Sequence, residues 1–76
     1  MQTEVTELLQ TILNVKNTEG KLISYAQHYA VVAIELDMDG FMLKCQLSYV
    51  LNNLTGWRGP TAAKVKARLR ELHKEL

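Results

Sequence analysis

Val5, Leu8, Leu9 and Ile12 recur at three- and four-residue spacing near one end of the chain. Ala62, Val65, Leu69, Leu72 and Leu76 do the same at the other end. Such spacing puts each set on one side of an α-helix, and polar residues such as Glu4, Glu7, Lys64 and Glu71 fall on the other sides. A helix apolar on one side must bury that side against a neighbour, so whatever lies between the two helices has to supply a common core. The chain has 76 residues, which makes one small domain over 1–76 and excludes an independent second core.

The ends of these helices can be read from capping chemistry. Thr3 is the expected N-cap of the first, with Glu4 and Glu7 at the positive end of its dipole. Asn17-Thr18-Glu19-Gly20 gathers turn formers after it. Gly59-Pro60-Thr61 opens the last helix, because proline in the first turn sacrifices no hydrogen bond.

The middle supports two readings. As helices, Leu22, Tyr25, Ala26, Tyr29, Val32, Ala33 and Leu36 form one stripe, and Leu43, Leu47, Val50, Leu51 and Leu54 form another. Gly40 is then the C′ residue that ends the second helix. As strands, residues 29–38 and 41–51 flank Asp39-Gly40, a hairpin signal, with alternation through Ile34, Leu36, Met38 and Leu43, Cys45, Leu47, Tyr49. The helical stripe begins well before the β-branched pair Val31-Val32, and a lone hairpin is marginally stable. The expected fold is therefore all-α, a compact four-helix domain over 3–16, 20–38, 41–55 and 60–75, with an α-β-β-α arrangement as the alternative. If 41–55 is helical, Met42, Cys45 and Tyr49 lie opposite the Leu43/Leu47/Leu51 stripe and need cover of their own. That predicts a homodimer.

Chemistry is sparse. His28 and His73 are the only histidines, with no companion at metal-ligand or proton-relay spacing, and Cys45 is the only cysteine. One cysteine makes no internal disulfide, which suits a reducing compartment, and its apolar neighbours suit a buried thiol. Asp37 and Asp39 resemble a fragment of a calcium loop but lack the remaining oxygen ligands, so a capping or turn role is expected. No catalytic residue, cofactor site or metal site is expected. No apolar run is long enough for a membrane span and Met1-Gln2-Thr3-Glu4 does not open a signal peptide, so no membrane partner and a cytoplasmic location are expected. In that location the sequon Asn53-Leu54-Thr55 is a chance match.

Two features point to binding. Residues 1–54 hold three lysines against six carboxylates, a charge of −3, while residues 55–76 hold six cations against two carboxylates, a charge of +4. A basic C-terminal segment attracts anionic partners. Just before it, the segment from Asn52 to Pro60 holds Trp57, the only tryptophan, beside Arg58. Tryptophan and arginine are the residue types most enriched at interface hot spots. The expected partner-binding residues are thus Trp57, Arg58, Lys64 and Arg68, facing a protein. The alternative is a small helix-turn-helix-like DNA-binding regulator that uses the basic C-terminal helix, with Lys64, Lys66, Arg68 and Arg70 on phosphates.

Residues Gln46, Tyr49, Leu51 and Asn53, then Trp57-Arg58-Gly59, then Ala62 and Val65-Lys66 form a pattern over roughly 46–69. It resembles short phage and prophage proteins with a similar C-terminal arrangement. The resemblance implies an accessory protein of phage or mobile-element origin that binds and modulates or inhibits a host protein, including host defence machinery. It supplies no catalytic residue.

Overall fold

A computed structural model describes residues 1–16 and 22–76. The expected turn at 17–20 and the expected start of the second helix at 20 lie outside the described residues. The fold is all-α: α1 Thr3–Leu13, α2 Ile23–Glu35, α3 Gly40–Asn52 and α4 Pro60–Glu75. Helix α1 packs on α2, α2 on α3, α3 on α4, and α4 returns to α1, closing a four-helix ring around one core.

That core is apolar throughout, with no buried polar or charged residue among those described. Val5, Leu9 and Ile12 enter it from α1, and Ala62, Val65, Leu69 and Leu72 from α4, as their periodicity requires. Leu43, Leu47 and Val50 enter from α3, and Leu54 follows from the corner beyond it. Each fully buried leucine contributes about 1.5–3 kcal/mol of burial.

Four local readings are corrected. The hairpin alternative fails: Asp39-Gly40 joins two helices, and the alternation at Ile34, Leu36 and Met38 maps onto half-buried, exposed and buried positions of a helix end. Gly40 is not the cap of α2. Asp37 takes the left-handed C′ place at φ 44°, with Met38 N–H donating to Ala33 O and Asp37 N–H to Ile34 O, the paired bonds of a Schellman ending. Thr3 lies inside α1, whose N-cap is Gln2. In α2 the core line is Ile23, Ala26, Ala30 and Ala33, so the larger Leu22, Tyr25 and Leu36 face solvent. Small residues on the core line let α1 and α3 approach α2 closely, which leaves no room for the bulky side of the helix.

Long polar side chains secure the helix ends. Gln27 Nε2 donates to Ile12 O at 3.1 Å and Val15 O at 2.7 Å, tying α2 to the C-terminal end of α1 and the residues just beyond it. Gln46 Nε2 donates to Tyr29 O at 2.8 Å, tying α3 to α2. At the turn between these helices, the Met1 amine lies 3.0 Å from Asp37 Oδ1 and 2.7 Å from Asp39 Oδ1. Asp37 and Asp39, the fragment of a calcium loop in the sequence, thus hold an amine.

Candidate functional site

The segment between α3 and α4, residues 53–59, is the corner picked out by the sequence. Trp57 is buried, and its backbone N–H donates to Leu54 O at 3.0 Å. Lys66 reaches back from α4, its Nζ donating to Leu54 O at 3.1 Å and to Trp57 O. Gly59 has φ 112° and ψ 173°, a conformation open essentially to glycine alone, and Pro60 follows at the start of α4. Arg58 is exposed between these two fixed residues. Its guanidinium is therefore carried on a backbone locked by the Trp57 anchor on one side and the Gly59-Pro60 entry on the other.

The corner borders an open cleft of about 510 Å³, lined by Thr11, Asn14, Lys16, Trp57, Arg58 and Thr61 among others. Both cations at its border are exposed. Trp57 borders this cleft while remaining 3% exposed, so it supports the corner from within the core.

The cations of α4 divide into committed and free. Arg68 forms a two-pronged contact with Glu4 on α1, Nε to Oε2 and Nη2 to Oε1 at 2.8 Å, and its Nη1 lies 3.6 Å from Glu71. Its pKa is held above the ordinary arginine value by the hydrogen bond to Glu4, and the Glu4 carboxyl is held below its ordinary value by the same bond. Lys66 serves the corner. Lys64 and Arg70 remain exposed and make no ion pair among the described residues. Of the four residues expected on phosphates, two are thus engaged inside the domain.

Two arrangements go beyond what the sequence spacing predicts, the first wholly and the second in part. Ser48 Oγ on α3 lies 2.8 Å from His73 Nε2 on α4 and 3.3 Å from Lys44 O. The pair has the reach of a nucleophile and base, but Ser48 sits within a helix whose N–H groups are spent on the backbone ladder, and none of the described hydrogen bonds orients the other ring nitrogen. Its evident effect is to clip α4 to α3. Sequence spacing carries no trace of it, because the partners are 25 residues apart. No three His, Cys, Asp or Glu side chains among the described residues converge where a metal ion could be held.

The second is an exposed apolar face across α2 and α3. Phe41 is 77% exposed, Leu36 63%, Met42 62%, Tyr25 59% and Tyr49 52%. Tyr29 and Tyr49 stack across the groove between the two helices at 5.3 Å, and Cys45 is half-buried between Met42 and Tyr49 on the outer face of α3. The helical spacing of α3 predicts exposure of Met42, Cys45 and Tyr49, whereas the spacing of α2 places its large residues in the core and gives no sign of Phe41 or of the α2 side of this face. Among the described residues no helix is long and apolar enough to cross a membrane.

Comparison with protein-family models, with curated proteins and with solved structures finds no match to this chain.

Proposed function

We propose that this chain is a non-enzymatic accessory protein of phage or mobile-element origin that works as a homodimer in the host cytoplasm, binding and modulating or inhibiting a host protein. The contact surface is the corner and the adjoining side of α4: Arg58 and Lys64 touch the partner, Trp57 holds the corner in shape, and Arg68 presents what its pairing with Glu4 leaves free. The observation that carries this reading is the fixed presentation of Arg58 between buried Trp57 and the Gly59-Pro60 helix entry. A fixed backbone at Arg58 spares the cost of ordering the corner on docking, and an exposed guanidinium suits an acidic protein surface. The phage origin and the defence-inhibiting role rest on the resemblance of residues 46–69 alone.

Regulation of nucleic acid is the weaker reading. Lys66 and Arg68 are committed within the domain, and residues 53–59 between the helices exceed the usual three- or four-residue turn of a helix-turn-helix. Retention of host-lysate components on immobilised protein, with and without nuclease, separates the two. A nuclease-resistant protein partner that persists at ~200 mM salt and is lost with Arg58→Ala is expected, since phosphate contacts weaken steeply with salt. Recovery of duplex DNA only, released by that salt, would overturn the proposal.

A further inference from the structure

We infer that the homodimer forms through the exposed face of α2 and α3, with a two-fold axis running along the groove between these helices, so that α2 of one protomer lies over α3 of its partner. This rests on the homodimer reading above and assigns its surface. With 150–250 Å² for a whole aromatic side chain, the exposed fractions of Leu22, Tyr25, Leu36, Phe41, Met42 and Tyr49 amount to about 600 Å² per protomer. On a molecule of only 4801 Å² that lies at the upper end of the ~300–600 Å² found for the largest apolar patch of a monomer, and with a polar rim it approaches the ~800 Å² per partner of a stable interface. A two-fold contact needs a self-complementary face, and two antiparallel helices of equal length, each 13 residues, provide a flat one.

The edge charges select the axis. At 100° per residue, Glu35 falls on the edge of α2 away from α3, and Lys44 on the edge of α3 away from α2. The Tyr29–Tyr49 stack and the Gln46–Tyr29 bond set the antiparallel register, which places Glu35 and Lys44 within about a helical turn of the same height. Neither has an ion-pair partner among the described residues. Rotation about the groove exchanges the two edges, bringing each Glu35 to the partner subunit's Lys44. It also places the two Asp37-Asp39 turns at the same end, where each has its own Met1 amine to offset its charge.

Sedimentation of the full chain between ~10 and ~200 μM tests this. The expected wild-type species is about 17 kDa, twice the chain mass of 8.6 kDa. Phe41→Glu and Leu36→Glu, both at exposed positions, are expected to be folded by circular dichroism and monomeric. Glu35→Lys and Lys44→Glu should each weaken dimerisation about tenfold, and the double reversal should restore it to within about threefold. Alkylation of wild-type Cys45 should slow as concentration rises, a readout independent of any substitution. A wild-type monomer at ~200 μM overturns both the homodimer and this surface. A dimer that survives both Phe41→Glu and Leu36→Glu overturns the surface and leaves the homodimer standing. A double reversal as weak as the two single losses combined overturns the axis.

Discussion

Trp57 and Arg58 are neighbours in sequence with opposite physical situations, and substitutions at the two should separate scaffold from contact. Trp57 is 3% exposed and anchors the corner, so Trp57→Ala is expected to cost about 3–5 kcal/mol of stability, read as a lower denaturant midpoint. Arg58 is exposed, so Arg58→Ala should change stability by no more than ~0.5 kcal/mol and still abolish retention of the host partner. Unfolding by Arg58→Ala, with Trp57→Ala left unaffected, would reverse the two roles. Gly59 gives a second residue-scale test. A Cβ there would meet nothing within 4 Å, so any cost of Gly59→Ala is backbone strain at φ 112° and not a clash. A loss of about 1–3 kcal/mol is expected. The same substitution at Gly40, φ 58°, also meets open space but occupies the left-handed region that other residues can enter, and its loss should be smaller, about 1–2 kcal/mol. Equal losses at the two sites would contradict this account of the corner.

At the scale of elements, what could be read in the sequence follows the strength of each helix's amphipathicity. Helices α1 and α4 carry leucine, isoleucine and valine on their core side, and there periodicity points to both the helix and its buried residues; α3 has the same stripe, but its alternation fits a strand as well, so from sequence alone the hairpin stays open as the alternative. Helix α2 has alanines inward and tyrosine and leucine outward, so ranking residues by size selected the wrong face while still recognising a helix. The corner was legible as a cluster of glycine, proline and tryptophan. The division of the cations was not, because Arg68 pairs with Glu4 from 64 positions away and Lys66 hydrogen-bonds carbonyls, contacts that leave no spacing signature. Gln27 and Gln46 were invisible for the same reason. These ties carry an element-scale prediction. Lys66→Met keeps the aliphatic stem but removes the donor shared by Leu54 O and Trp57 O, and thermal unfolding should show a loss of about 1–3 kcal/mol. Were Lys66 free to contact phosphate instead, its substitution would leave stability unchanged and weaken binding to duplex DNA.

Across the whole molecule, two ionic contacts made of three ion pairs join the start of the chain to distant elements, Glu4 to Arg68 on α4 and the Met1 amine to both Asp37 and Asp39 at the α2–α3 turn. Each depends on pH in an opposite sense. The hydrogen bond to Arg68 lowers the Glu4 pKa below its ordinary 4.5, so its contribution is complete above that value and is lost as pH falls through the folded-state pKa. Hydrogen bonds to Asp39 and then Asp37 raise the amine pKa above its ordinary 8.0, so its contribution is complete below 8.0 and is lost as pH rises through the higher value. The midpoint of thermal unfolding should therefore be flat between about pH 5 and 8 and decline on both sides. Protomer concentration must be held constant, since dimerisation would shift the midpoint by mass action. Glu4→Gln should flatten the acid decline and leave the alkaline one. Asp37→Asn with Asp39→Asn should flatten the alkaline decline, and asparagine also accepts the left-handed backbone at position 37. The Met1 contact is exposed and the Glu4–Arg68 contact half-exposed, so ~1 M salt should shrink both declines, the alkaline one more. An acid limb identical in wild type and Glu4→Gln would show that the clasp between α1 and α4 is apolar, made by Val5, Leu9, Leu69 and Leu72 without electrostatic help.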